Sequence, residues 1–207
     1  MAKLWFSCKV IFAIGTSLLL TSCLSLQLSM TFTPEGGGTL VADFLVSPLT
    51  TDIPVQLSAS RSVTLPRTEQ AWRTVLSGIS GTSLIAFQEN ASVEGQAFHV
   101  EVAFTSPTAL TNLFEYFGEQ AQLVIDAQGH RELTLIWKTP NLAGAPPKIQ
   151  QIWQAYWGNQ LWVTTIKTPR PMISQTDGER RSAQEAVWTV KESALLNREP
   201  PVLKVTW

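Results

Sequence analysis

Leu24-Ser25-Leu26-Gln27-Leu28-Ser29-Met30-Thr31-Phe32-Thr33 alternates apolar and polar residues without a break. That is the period of a strand with one face in a core and the other in water. Pro34-Glu35-Gly36-Gly37-Gly38 follows as a hairpin turn, because glycine accepts the positive φ that tight connections need, and Thr39 to Val46 returns as a second strand. The chain is therefore expected to open on a β-meander.

Further along, Phe98, Val100, Val102 and Phe104 share one strand face, with His99, Glu101 and Ala103 on the other, and a strand is expected before it at 83–88. Helical spacing marks three segments. Trp72, Val75, Leu76 and Ile79 form an apolar stripe ending near Gly78 or Gly81; Ser106-Pro107 caps a second helix carrying Leu110, Leu113, Phe114 and Phe117 up to Gly118. Pro147 opens the third, with Ile149, Ile152, Trp153, Tyr156 and Trp157, closed by Gly158-Asn159. Gln122–Asp126 and Glu132–Lys138 flank a turn at 127–130, and further strands are expected at 161–165, 186–191 and 202–207. The Pro-rich stretch 47–66 reads as a loop with one short edge strand at 55–59, 141–147 as a loop, and the charged stretch 169–184 as a mobile loop. The expected fold class is α+β: a mainly antiparallel sheet with about three helices packed on it.

Upstream, Lys3 and Lys9 precede an eleven-residue apolar run, Val10 to Leu20, that closes on Leu20-Thr21-Ser22-Cys23. This is similar to the lipobox of bacterial lipoprotein signal peptides. The resemblance implies that Cys23 takes a diacylglyceryl group, that cleavage falls between Ser22 and Cys23, and that Cys23 becomes the acylated N-terminus. The run is too short to cross roughly 30 Å of hydrocarbon but suits a signal-peptide core. Residues 1–22 are thus expected to be a lipoprotein signal peptide, and residues 23–207 a single extracytoplasmic α+β domain bound to a membrane by its N-terminal acyl chains. Leu24 is not the aspartate associated with inner-membrane retention, so the outer membrane is favoured where a cell has two.

The expected mature chain carries 13 Lys and Arg against 16 Asp and Glu, a formal charge of −3, which argues against a nucleic-acid partner. Its one cysteine, Cys23, is taken by lipid, so stability must come from packing, with seven tryptophans to supply buried area. No metal site is expected, since neither His99 nor His130 has a second ligand at metal spacing; both read as solvated. No catalytic residues are expected either: there is no G-x-S-x-G elbow, and Gly36-Gly37-Gly38 lacks the lysine of a phosphate loop. Glu115 and Glu119, at i and i+4, read as a solvated helix face. Asn90-Ala91-Ser92 has glycosylation spacing, which means little in bacteria. The strongest candidates for ligand binding are Trp153, Tyr156, Trp157 and Trp162, which either pack a helix on the sheet or form an apolar groove or a surface that rests on lipid headgroups.

With these elements placed, the chain resembles the LppM-like lipoprotein domain family. The resemblance is carried by Cys23 followed at once by the alternating strand, by Thr33-Pro34-Glu35-Gly36-Gly37-Gly38-Thr39-Leu40, by Ala186-Val187-Trp188-Thr189-Val190 and by Leu203-Lys204-Val205-Thr206-Trp207. It implies an extracytoplasmic α+β domain without known enzymatic residues and with a fold suggestive of lipid handling. Many members continue into a C-terminal membrane helix, whereas this sequence stops at Trp207, so the lipid is expected to be the only anchor. The expected function is non-enzymatic and needs no cofactor: recognition or carriage of an amphiphilic cell-envelope molecule, or else a structural or assembly subunit docking on another envelope protein.

Overall fold

The computed structural model describes residues 25–46, 66–92, 95–137, 161–191 and 201–207. The lipobox, the edge strand expected at 55–59 and the helix expected from Pro147 lie outside them, as do Trp153, Tyr156 and Trp157.

The alternating stretch forms β1 (Leu26–Phe32) and pairs antiparallel with β2 (Gly38–Val46). Leu28, Met30 and Phe32 are buried, as the period requires. The turn closes through Thr33 N–H to Gly37 O and Gly36 N–H to Thr33 O, and Gly36 takes φ +96°, a conformation that L side chains rarely adopt. After α1 (Glu69–Ser77), whose N-cap Thr68 accepts from the Ala71 N–H, β3 (Thr82–Ser92) and β4 (Gly95–Phe104) make a second hairpin. The register of this hairpin shifts between Leu84 and Ala86, where the bulged Ile85 stands exposed. Helix α2 (Pro107–Tyr116) starts on the expected cap, Ser106 Oγ accepting from Ala109 N–H. Then come the hairpin β5 (Gln120–Ile125) and β6 (Arg131–Ile136), β7 (Leu161–Lys167), β8 (Ser174–Gln175), β9 (Glu179–Arg180), β10 (Glu185–Lys191) and β11 (Val202–Thr206).

These strands form two sheets, ordered β3-β4-β2-β1-β7-β10-β9 and β5-β6-β11-β8. The expectation of one mainly antiparallel sheet under about three helices needs correction. The larger sheet is mixed, because β1 and β7 run parallel, and the described residues hold two helices on a structure that is mostly strand. Hairpin signals in the sequence fix only the antiparallel neighbours. The parallel neighbour of β1 arrives more than a hundred residues later through a crossover, which no local pattern encodes.

The stretch 169–184 also differs from the expected mobile loop. It carries β8, which pairs with β11 of the small sheet, and β9, which pairs with β10 of the large one. The Trp188 Nε1–H donates to Thr176 O at 2.7 Å, and Ile173 N–H to Thr206 O at 2.7 Å. Its backbone staples the sheets and its Arg180 Nη2–H donates to the Met172 and Ala183 carbonyls, so charge content alone did not mark it as mobile.

The core is continuous between the sheets. Phe32 of β1 meets Phe104 of β4 at 5.6 Å between ring centroids and Trp207, just past β11, at 5.1 Å. Helix α1 packs on β3, and α2 lies against β5, β3 and β4.

Candidate functional site

Of the expected aromatic groove, Trp162 alone lies among the described residues, and its neighbours there come from other elements. At one end of the large sheet, Leu26 of β1 lies opposite Phe44 of β2 on one side and Trp162 of β7 on the other, and the next inward pair is Leu28 with Ala42. Pleating turns Leu26, Leu28, Leu40, Phe44 and Trp162 to the inner face, where α1 presents Trp72 and α2 presents Leu113 and Phe114. Between these walls lies a partly open cavity of about 120 Å³. An engineered apolar cavity of roughly 150 Å³ stays dry and takes up benzene. The space here thus suits one slender apolar group, not a whole double-chain lipid.

The aromatic lining is a connected set. Trp137, just past β6, meets Trp162 edge-on at 5.4 Å and Phe114 at 6.1 Å, while Trp72 meets Phe117 at 5.4 Å. Rings held this way keep their orientation without a ligand, which lowers the ordering cost of binding.

One carboxylate joins this wall. Helix α2 ends in a Schellman turn, with Glu119 N–H bonded to Phe114 O and Gly118 N–H to Glu115 O, and Gly118 takes φ +81°. The turn reverses the chain and buries Glu119 to 7% exposure at the cavity. The expected solvated pair therefore does not exist: Glu115 is exposed on the helix, whereas Glu119 lies beyond its end.

The remaining candidates sit elsewhere. His99 Nδ1 lies 2.7 Å from Asp43 Oδ1 across β4 and β2, on the sheet face opposite the cavity. The expectation of a merely solvated residue is incomplete, since this ring is half-buried and paired. His130 sits exposed in the β5–β6 turn beside Asp126. Among the described residues no three His, Cys, Asp or Glu side chains come together as metal ligands, and no helix is long and apolar enough to cross a membrane.

Sequence reasoning missed Trp72, Phe114, Phe117 and Trp137 as members of one site. Each was legible as an inward-facing residue of its own segment; nothing local indicated that these segments converge on β1.

Comparison with known proteins gives one solved likeness of note. The chain is similar to the folded domain of LppM from Mycobacterium tuberculosis, determined by NMR, at 12% identity over 88% of each chain, with a TM-score of 0.47. No family model and no curated protein matches the sequence.

Proposed function

We propose that this protein is a lipid-anchored bacterial envelope protein whose extracytoplasmic domain binds, without enzymatic chemistry, the apolar chain of an amphiphilic envelope molecule. The observation that carries this reading is the preformed cavity between β1, β2, β7 and the two helices, walled by apolar side chains and rigid aromatic rings. Aromatic and aliphatic walls with few polar groups are the usual make-up of a small-molecule site. The anchor follows from the lipobox-like Leu20-Thr21-Ser22-Cys23: Leu26, which lines the cavity, is three residues from Cys23, hence within roughly 10 Å of it along the chain. An acylated Cys23 would hold the cavity beside the leaflet that supplies its ligand.

The competing reading, a subunit that docks on another envelope protein, draws on Val124 and Ile125, which stand exposed on the edge strand β5. Bromine quenches indole fluorescence on contact, and Trp72, Trp137 and Trp162 line the cavity. Titrating brominated single-chain amphiphiles should therefore quench tryptophan emission saturably, and a cavity-filling Ala42→Phe substitution should abolish the effect. Absence of saturable quenching removes the binding reading and leaves docking in front. The anchor is tested separately: Cys23→Ser should eliminate palmitate labelling, because a hydroxyl is a poor acceptor where a thiol is required.

A further inference from the structure

Three exposed apolar side chains stand at the end of the fold where β1 begins. Leu161, 44% exposed, precedes the cavity-lining Trp162 and is level with Ser25, since β7 runs parallel to β1 with Trp162 opposite Leu26. Val202, 46% exposed, lies opposite Ile136, one residue before Trp137, whose N–H donates to Pro201 O and whose ring meets Trp162. Tyr116, 40% exposed, packs edge-on against Phe117 at 5.1 Å between ring centroids, and Phe117 lines the cavity. All three therefore adjoin the cavity wall. Other exposed apolar residues lie at the opposite end. Ile125 pairs with Arg131, which donates to Thr33 O just past the far end of β1, and Ile173 N–H donates to Thr206 O, opposite Glu132.

We infer that the end of the domain where β1 begins rests on the bilayer, with Leu161, Val202 and Tyr116 set into the headgroup layer of the leaflet that holds Cys23. This rests on the lipid anchor proposed above and adds to it a protein surface whose partner is lipid. One residue, Leu24, separates Cys23 from Ser25, so the link reaches roughly 7 Å even when extended. The headgroup region of a bilayer adds about 5–8 Å on each side of the hydrocarbon core. The link is no longer than that layer is thick, so Ser25 and the residues level with it are held at the lipid surface. The seven residues of β1 then carry the turn at 33–37 roughly 20 Å away from it. A tyrosine has an apolar body and a polar tip, which suits it to the headgroup layer, and Leu161 and Val202 gain by leaving water. The exposed charged neighbours of these residues are one of each sign, Lys191 opposite Leu161 and Glu115 before Tyr116, so the face meets a zwitterionic lipid surface without net repulsion.

The test uses the lipidated protein in phosphatidylcholine vesicles, with a nitroxide label at one position at a time: Leu161→Cys, Val202→Cys, Ile125→Cys or Ile173→Cys. With Cys23 acylated and Cys8 removed in the leader, the introduced cysteine is the one free thiol. All four side chains are exposed in the fold, the far pair more so, and each substitution is therefore mild. Labels at 161 and 202 should collide severalfold less with a water-soluble nickel chelate than labels at 125 and 173, and more with oxygen, which concentrates in lipid. Equal nickel collision at all four positions overturns the inference and leaves the anchor standing. Reduced collision with both reagents at 161 and 202 puts a second protein copy there in place of lipid and also overturns it. Failure of the protein to float with the vesicles removes the anchor and the inference together. None of these readouts depends on what fills the cavity, which the brominated amphiphiles report separately.

Discussion

Asp126 shows how much a single side chain can organise in this fold. Its Oδ1 accepts from the backbone N–H groups of Gln128 and His130, each at 2.8 Å, and its Oδ2 lies 3.0 Å from His130 Nδ1. Partial desolvation acts to raise its pKa, but the hydrogen bonds from His130 and Gln128 and the charge of the His130 ring outweigh it and hold the carboxyl below its usual range. A carboxylate whose folded pKa is depressed contributes stability above its unfolded value, about 3.9, and loses that contribution as pH falls through the folded value. Asp126→Asn keeps an acceptor oxygen and removes the charge. Thermal midpoints of wild type and variant should therefore differ near neutral pH and converge in strong acid. A difference that persists at the lowest pH would show that the carboxylate's charge is not what closes the turn. Gly178 is constrained differently: a Cβ there would lie 2.5 Å from Trp188 Cε2, so the β8–β9 turn has room only for hydrogen at that position.

Among the elements, β11 carries the small sheet. It pairs with β6 through five registered residues, Val202 opposite Ile136 to Thr206 opposite Glu132, and with β8 on its other edge. Leu203 and Val205 are buried on its inner face and Trp207 follows them. Leu203→Ala should cost about 2–5 kcal/mol, the range for emptying a buried leucine site in a packed core, measured by urea unfolding. Removing residues 202–207 deletes the strand that joins β6 to β8, and amide exchange should then lose protection in β5 and β6 as well as at β8. If β5 and β6 kept their protection, packing against α2 would be enough to hold the hairpin without its central neighbour. The half-buried outer-face pair His99–Asp43 is a smaller matter, since a cross-strand side-chain pair contributes about 0.2–1 kcal/mol.

On the scale of the whole molecule, the sheets are coupled through rings: Phe32 leaves the large sheet to meet Trp207 of the small one, and the segment 174–180 pairs with both sheets. A soluble form comprising residues 24–207 should therefore unfold in one cooperative step, and without dependence on reductant, since it contains no cysteine. Calorimetric and near-ultraviolet transitions should coincide. Two separable transitions would mean that the sheets fold apart.

The cavity belongs to this same scale. Trp162 was legible as a candidate because it is an indole near other indoles in the chain, yet its partners at the cavity, Trp137 and Trp72, come from a hairpin and a helix at other places in the sequence. Glu119 was read as solvated because i, i+4 spacing places two carboxylates on one helix face. The Schellman turn at Gly118 ends the helix first and turns Glu119 inward. Helix length near a terminus is decided by how the next strand must leave, and β5 begins immediately, at Gln120.

What the sequence determined by itself was local and periodic. The alternation in β1 and β4, the Ser106-Pro107 cap of α2 and the glycine turn before β2 all follow from steric and hydrogen-bonding rules acting within a few residues. Which strand lies beside which was decided only in the tertiary structure. The backbone edge of a strand offers the same N–H and C=O groups whatever its side chains, so β1 carries no mark showing that its free edge will accept β7 in parallel. The same holds for the cavity. Each of its walls is an inward-facing residue of an ordinary amphipathic element, and the space between them exists because helices α1 and α2 come down over one end of a sheet whose strand order no local pattern records.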